Sequence, residues 1–264
     1  MNDLTVSLVQ TTIHWHDPAA NRELLASLLT SALTGPGLTD LIILPEMFST
    51  GFSMEAETQA EMYPGPTLAW MQEQAARYEA VVTGSVLLRA DGHYRNRLLW
   101  VRPDGTHSCY DKRHLFRAAG EHEVYTRGEQ PLLEEWRGWR IKPLICYDLR
   151  FPVWSRNRRD APYDLLLYVA NWPQPRVEIW RALLRARAIE NQAYVAGVNR
   201  LGSDGAGQDY NGQSSLLDMQ GDYLAQAGNL QTVLTHTLQA TSLRELRERT
   251  PVMLDADDFN LLSC

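Results

Sequence analysis

Ile141-Lys142-Pro143-Leu144-Ile145-Cys146-Tyr147-Asp148-Leu149-Arg150-Phe151-Pro152 is the stretch on which the reading of this chain turns. The run 141–145, mostly apolar, has the character of a buried strand, and the turn residues that follow stop it at Cys146. A thiol there sits against the backbone N–H groups of a turn or helix start. Those groups favour the thiolate and stand ready as oxyanion donors, so the position predicts a nucleophile that ionises more easily than a free cysteine. Free cysteine is also among the most buried residue types and often only fills space. The surrounding chain decides between the two readings.

Downstream of Cys146, residues 165–170 read as a strand. Residues 176–190 read as a helix with Trp180, Leu183, Leu184 and Ala188 on one face, and 193–198 as another strand. The first half has the same rhythm. A strand over 4–10 precedes a helix over 21–34, which carries Leu24, Leu25, Leu28, Leu29 and Leu33 and takes its start signal from Asp17-Pro18. A strand over 41–44, a loop from 45 to 65 and a helix over 67–80, opened by Pro66, complete that block. Strands over 81–88, 94–101 and 106–110 follow, joined by the hairpin turns Asp91-Gly92 and Asp104-Gly105. The last strands are expected at 214–217, 223–226 and 230–238, before a short helix in which Ser242 and Glu245 have capping-box spacing. Two similar halves of strands and helices predict an α/β protein of four layers, an α-β-β-α sandwich of two sheets packed face to face with helices outside. A single doubly wound sheet is the competing arrangement. With no linker in view, residues 1–264 form one domain, 240–264 being a C-terminal helix and tail.

Composition limits the function. The chain has 264 residues, of which 44% are hydrophobic, enough for a full core. A net charge of −7 without long Lys/Arg stretches argues against a nucleic-acid partner. No basic segment followed by an apolar one opens the sequence, and no apolar run approaches the roughly 20 residues of a membrane helix, so a cytoplasmic protein without a membrane partner is expected. Cys109, Cys146 and Cys264 are widely spaced and suit a reducing compartment without disulfides. His14-Trp15-His16 has the spacing of a metal pair but no Cys or carboxylate pattern around it, and no metal is expected.

Cys146 has company. Glu46 follows the apolar run ending at Pro45, Lys112 follows the strand ending at Tyr110, and Asn171-Trp172 follows the strand 165–170. In folds with largely parallel strands such ends gather along one edge, where ligands bind. A glutamate, a lysine and a cysteine meeting there make a coherent apparatus for cleaving an amide or a nitrile.

Leu44-Pro45-Glu46-Met47-Phe48, Asp111-Lys112-Arg113-His114-Leu115-Phe116 and Ile145-Cys146-Tyr147-Asp148-Leu149-Arg150-Phe151-Pro152 resemble, in order, the three signatures of the nitrilase (carbon-nitrogen hydrolase) superfamily. Val169-Ala170-Asn171-Trp172-Pro173 and Val153-Trp154-Ser155-Arg156-Asn157 are most similar to the bacterial omega-amidases, which hydrolyse 2-oxoglutaramate and related 2-oxo acid amides. The resemblance implies a cofactor-free amidase acting on a small-molecule amide through a thioester. Cys146 would be the nucleophile, Glu46 the general base and acid, and Lys112 the electrostatic stabiliser, with the Tyr147 N–H as a second oxyanion donor. It also implies a second glutamate, for which Glu121 fits the spacing better than Glu123, and a homodimer across which the apolar tail 251–262 can pack. Tyr147, Asn171 and Trp172 are expected to line the pocket. The basic cluster Arg150, Arg156, Arg158 and Arg159 reads as a solvated helix face with one buried, paired Arg, or as the source of an arginine for a substrate carboxylate, which one being left open; Arg150 is placed among the substrate-binding residues. Arg185, Arg187 and Glu190 read as buried ion pairs, and His114 as a structural hydrogen-bonding group. Other substrates of the superfamily (nitriles, N-carbamoyl amino acids, deaminated glutathione) share the same chemistry, and a catalytically silent binding protein on the same fold is the alternative from another class. A cysteine peroxidase would need a resolving thiol, for which Cys109 is a remote candidate.

Overall fold

A computed structural model of the chain describes residues 1–261; Leu262 of the expected tail and Cys264 lie outside the described residues. In chain order the first half holds β1 (Leu4–Gln10), α1 (Pro18–Ala32), β2 (Leu41–Ile43), α2 (Ala56–Gln59), β3 (Glu61–Met62), α3 (Pro66–Tyr78), β4 (Val81–Ala90), β5 (His93–Val101), β6 (His107–Asp111) and α4 (Glu121–Val124). The second half holds β7 (Glu134–Trp136), β8 (Trp139–Ile145), α5 (Pro152–Ser155), β9 (Leu165–Ala170), α6 (Val177–Asn191), β10 (Tyr194–Asn199), β11 (Leu201–Ser203), β12 (Asp209–Asn211), β13 (Ser215–Leu217), β14 (Tyr223–Gln226), β15 (Thr232–Leu238) and α7 (Ala240–Arg249).

All the strands but β11 and β12, which pair as a separate ribbon, form two sheets, and the doubly wound alternative is set aside. One runs β15-β1-β2-β4-β5-β6, with β3 beside β4, and the other β14-β13-β10-β9-β8-β7. Each has a parallel centre, β1-β2-β4 in the first and β8-β9-β10 in the second, flanked by antiparallel hairpins. Parallel neighbours need a crossover, and α1, α3 and α6 supply it. Alternation along a strand sends side chains to opposite faces. Leu98 and Trp100 of β5 join Leu4, Val6 and Leu8 of β1 and Leu144 of β8 in the core between the sheets. Leu99 and Val101 join Leu25 and Leu29 of α1 and Met71 and Ala75 of α3 on the outer face of the first sheet. Trp180, Leu184 and Ala188 of α6 cover the second sheet.

Local signals account for most boundaries. Asp17 caps α1, its Oδ1 accepting the Ala20 N–H at 3.0 Å, with Pro18 in the first turn. Asp91 and Gly92 both take positive φ, 51° and 78°, as the tight turn between β4 and β5 requires. Two expectations are corrected, and three short strands had not been expected. The segment 45–65 is not simply loop, since it carries α2 and β3. Ser242 and Glu245 do not build a capping box: Gln239 is at the cap position, Ser242 lies inside the helix, and the Ala240 N–H is taken by Asp3 Oδ1 at 2.9 Å. Finally, β7 and the β11-β12 ribbon, three residues per strand, escape any periodicity argument.

Close packing of α6 on β10 depends on Gly197, where a Cβ would stand 2.6 Å from Leu184 Cδ1 and 2.8 Å from Trp180 Cζ2. Overpacking a core typically costs 1–3 kcal/mol, so Gly197→Val should lower stability by about 2 kcal/mol in thermal or denaturant unfolding. An unshifted transition would contradict this seating of α6.

Candidate active site

Glu46 lies just past β2, Lys112 directly after β6, Cys146 directly after β8 and Asn171 directly after β9, so the ends of four strands from two sheets meet at one place. The carboxylates of Glu46 and Glu121 are fully buried and Lys112 is 1% exposed. Lys112 Nζ donates to Glu46 Oε1 at 2.9 Å and to Glu121 Oε1 and Oε2 at 2.9 and 3.0 Å. Asn96 of β5 donates through Nδ2 to Glu46 Oε1 at 2.8 Å and to Glu121 Oε1 at 3.4 Å. From the second sheet, the Asn171 backbone N–H donates to Glu46 Oε2 at 2.7 Å, and its side-chain Nδ2 to the Glu46 carbonyl at 2.7 Å. The Phe116 N–H completes the Glu121 carboxylate at 2.6 Å. Each buried charge therefore meets an opposite charge and donors enough to replace water.

The electrostatics follow from burial and from this one cation among carboxylates. Burial pushes the Lys112 ammonium toward the neutral form, but the Glu121 and Glu46 carboxylates outweigh it and raise its pKa, so Lys112 stays charged at neutral pH. Burial raises the Glu121 carboxyl, and Lys112 only partly opposes it. The Cys146 thiol is pushed well up, first by burial and then by the Glu46 carboxylate, against the pull of Lys112. This runs against the expectation of an easily ionised thiol: burial and the neighbouring Glu46 carboxylate both favour the protonated form of Cys146.

Cys146 occupies the left-handed region at φ 42°, as does Met47, next to Glu46, at φ 42°. For a non-glycine residue this is an unfavourable conformation that the surroundings must hold. Asp148, fully buried, does much of that. Its Oδ2 accepts the Ile145 N–H at 3.1 Å and the Tyr110 hydroxyl at 2.7 Å. Its Oδ1 accepts the His114 N–H at 3.0 Å, with His114 Nδ1 at 2.8 Å. One carboxylate thus ties the turn bearing Cys146 to β6 and to the segment after Lys112.

Above this floor opens a cavity of about 600 Å³ whose wall includes Cys146, Lys112, Tyr147, Arg150, Asn171 and Trp172. All four residues expected to line a pocket are on it. Glu123 is instead exposed, its side chain three-quarters open at 75%. Arg158 and Arg159 pair with Asp160 and Asp258 away from the cavity, and Arg156 donates to the Glu190 carbonyl. Arg187 pairs with Glu190 at 2.9 Å, whereas Arg185 holds only the Gly221 carbonyl, which corrects half of that expected network. Cys109 belongs to the outer face of its sheet, hydrogen-bonded to the Tyr63 hydroxyl, while Cys146 belongs to the core between the sheets. Their sheet faces keep Cys109 from serving as its resolving partner. His16 Nε2 lies 2.8 Å from Ser53 Oγ.

Sequence reasoning missed Asn96, Asp148, Arg176 and Trp15. Asn96, a polar residue in a strand otherwise filled with apolar inward positions, carried a signal. Trp15, in a turn, carried none, and Arg176, at the start of the expected helix 176–190, carried no sign that it lines the cavity. Trp15 packs where a Cβ on Gly205 would be 2.2 Å from its Nε1, seating the turn between β11 and β12 at the cavity wall.

The carbon-nitrogen hydrolase family matches residues 5–248 of the chain, which span every one of these positions. The chain belongs to that family. As a carbon-nitrogen hydrolase it is 49% identical to the Omega-amidase YafV of Escherichia coli over 262 residues, 99% of this chain and all of that one. It is 32% identical to the 2-oxoglutaramate amidase of Bacillus subtilis over 219 residues, 82% of this chain and 84% of the relative. Among solved structures, a carbon-nitrogen hydrolase superfamily protein of Xanthomonas campestris carrying an arsenic adduct in its active site superposes with a TM-score of 0.96 at 50% identity, covering 99% of this chain and 100% of that one. The sandwich predicted from the sequence is thus the fold of this hydrolase family.

A thiol with raised pKa reacts with iodoacetamide only through its small thiolate fraction. Alkylation of Cys146 in the free protein, followed on its own peptide, should therefore be slow at pH 7 and still rise with pH beyond about 8.5, the ordinary cysteine value. A rate that is already at its plateau at pH 7 would show a resting thiolate instead.

Proposed function

We propose that this carbon-nitrogen hydrolase is an omega-amidase, hydrolysing the omega-amide of small 2-oxo dicarboxylic acid monoamides such as 2-oxoglutaramate and 2-oxosuccinamate to the acid and ammonia. The observation that carries this reading is the 49% identity to an omega-amidase along the whole chain, on a site whose glutamate, lysine and cysteine are all in place.

The chemistry runs through a thioester on Cys146. As Sγ attacks the amide carbonyl, the thiol proton passes to Glu46, a reading favoured by the raised pKa of the Cys146 thiol, since a protonated nucleophile needs a base beside it. The carbonyl oxygen becomes an oxyanion, held by Lys112 Nζ and the Tyr147 N–H; removing such a donor typically costs about a hundredfold or more in rate. Glu46 then gives the proton to the departing nitrogen, the C–N bond breaks, ammonia leaves and the thioester remains. Water enters, Glu46 takes one of its protons, hydroxide adds to the thioester carbonyl, and collapse releases the carboxylic acid and returns the proton to Cys146. Glu121 acts as a positioning residue: it holds Lys112 through both carboxylate oxygens and so fixes the ammonium at the oxyanion's place. Tyr147, Asn171, Trp172 and Arg150 would contact the substrate. No step requires a cofactor.

Two further parts of the proposal concern the cell and assembly. Among the described residues no helix is long and apolar enough to cross a membrane, and a cytoplasmic setting suits the free thiols. A homodimer is supported by exposed apolar side chains on the tail and beside it, with Leu254 at 68% and Val153 at 49% exposure.

Purified protein should release ammonia from 2-oxoglutaramate, with glutamine and a simple nitrile far poorer substrates, and Cys146→Ala should abolish the release while leaving the unfolding transition in place. Turnover retained in Cys146→Ala, or a preference for the nitrile, would refute the assignment.

A further inference from the structure

The cavity wall holds two guanidinium groups that no carboxylate among the described residues answers. Many arginines in this chain are ion-paired: on α6 itself, Arg181 meets Glu178 at 2.7 Å and Arg187 meets Glu190 at 2.9 Å. Arg150 and Arg176 both line the cavity, both are partly buried, and among the described residues neither guanidinium has a hydrogen-bond or ion-pair partner. What each does have is an aromatic face. Arg150 Cζ stands 5.4 Å from the centre of the Trp172 ring and Arg176 Cζ 5.1 Å from that of Phe116. Stacking orients a guanidinium plane and leaves its N–H edge free for a planar anion.

Trp172 links the two groups. Its indole Nε1 donates to the Arg176 carbonyl at 2.8 Å, and its backbone N–H to Asn199 Oδ1 at 2.7 Å, so the ring under Arg150 and the backbone of Arg176 are fixed to each other and to the end of β10. Arg176 is also the cap residue of the 15-residue α6, the positive end of a helix, where a cation is disfavoured. An unpaired cation kept in that place is unfavourable for the free protein and becomes favourable when an anion arrives. The acidic groups of the cavity do not compete strongly. Asp204 spends Oδ1 on the Ala206 and Gln208 N–H groups and Oδ2 on the Tyr210 hydroxyl, and Glu55 is exposed.

We propose that Arg150 and Arg176 together hold the free carboxylate of the substrate and so select anionic amides over neutral ones. Arg176 was not evident from the sequence and is the new member of the pair. The inference rests on the omega-amidase reading and deepens it, since a 2-oxo acid monoamide presents a carboxylate and an adjacent oxo oxygen in one plane, a good match for guanidinium donors.

The test compares kcat/KM for 2-oxoglutaramate and glutaramate with that for pentanamide, an amide of the same length as glutaramate without its carboxylate. Wild-type protein should favour the acids, and Arg176→Gln should lower the ratio of glutaramate to pentanamide about 10- to 100-fold, the range expected for a hydrogen bond to a charged group, mainly through KM. Arg150→Gln should act in the same direction. Arg176→Lys, which keeps the charge, should retain a ratio above that of the Gln variant. A ratio unmoved by Arg176→Gln, a parallel loss on both amides, or a Lys variant no better than Gln would overturn the clamp and leave the omega-amidase reading standing. Wild-type protein that hydrolyses neither acid would instead defeat that reading, and the clamp with it.

Discussion

One ammonium group between two buried carboxylates is the constraint on which this molecule depends. Glu46 and Glu121 have no contact with solvent, and two such charges could not both be kept there without Lys112 and the amides that complete their hydrogen bonds. The donors to Glu46 come from both sheets, Asn96 and Lys112 from the first and Asn171 from the second. The packing of sheet on sheet is therefore what assembles the site, and the site in turn fixes how the sheets must sit. Taking away one partner of such a buried cluster generally costs several kcal/mol, because the remaining charge is stranded.

The same cluster dictates the chemistry. A cysteine set in a dry pocket beside carboxylates holds its proton, so nucleophilic attack has to be coupled to proton transfer. The cation that could have stabilised a resting thiolate is already engaged by two glutamates; in the proposed reaction its influence falls on the oxygen of the substrate. Asp148 supplies the geometry: with donors from Ile145, Tyr110 and His114, it holds the turn whose left-handed residue, Cys146, is the proposed nucleophile. Positive φ at both Cys146 and Met47 places unfavourable backbone at the two segments that carry the proposed reacting groups, where the surrounding hydrogen bonds keep it.

Much of this was legible in the sequence, for identifiable reasons. The strands expected at 4–10, 165–170 and 223–226 coincide with β1, β9 and β14, because sustained apolar runs bounded by turn residues leave little choice. Glu46, Lys112, Cys146 and Asn171 were findable because each follows such a run, and parallel strands bring those ends together. The protonation of Cys146 was not readable, since it depends on carboxylates up to a hundred residues away in the chain (Glu46 lies 100 positions before Cys146) and on a burial no local pattern records. Trp15 and the turn carrying Asp204 and Gly205 come from irregular segments, and Arg176 from a helix cap, where side-chain direction is set by tertiary packing. Ser242 and Glu245 had the spacing of a cap, but the N-terminal Asp3 takes the helix-start N–H instead.

The central claim is that the reaction passes through an acyl group on Cys146, and the most direct measurement is mass spectrometry of protein quenched in acid during turnover of 2-oxoglutaramate. The account predicts a 2-oxoglutaryl adduct on the peptide containing Cys146, absent before substrate is added and removed by neutral hydroxylamine. Steady ammonia release with Cys146 unmodified throughout, or with the acyl group on another residue, would contradict it.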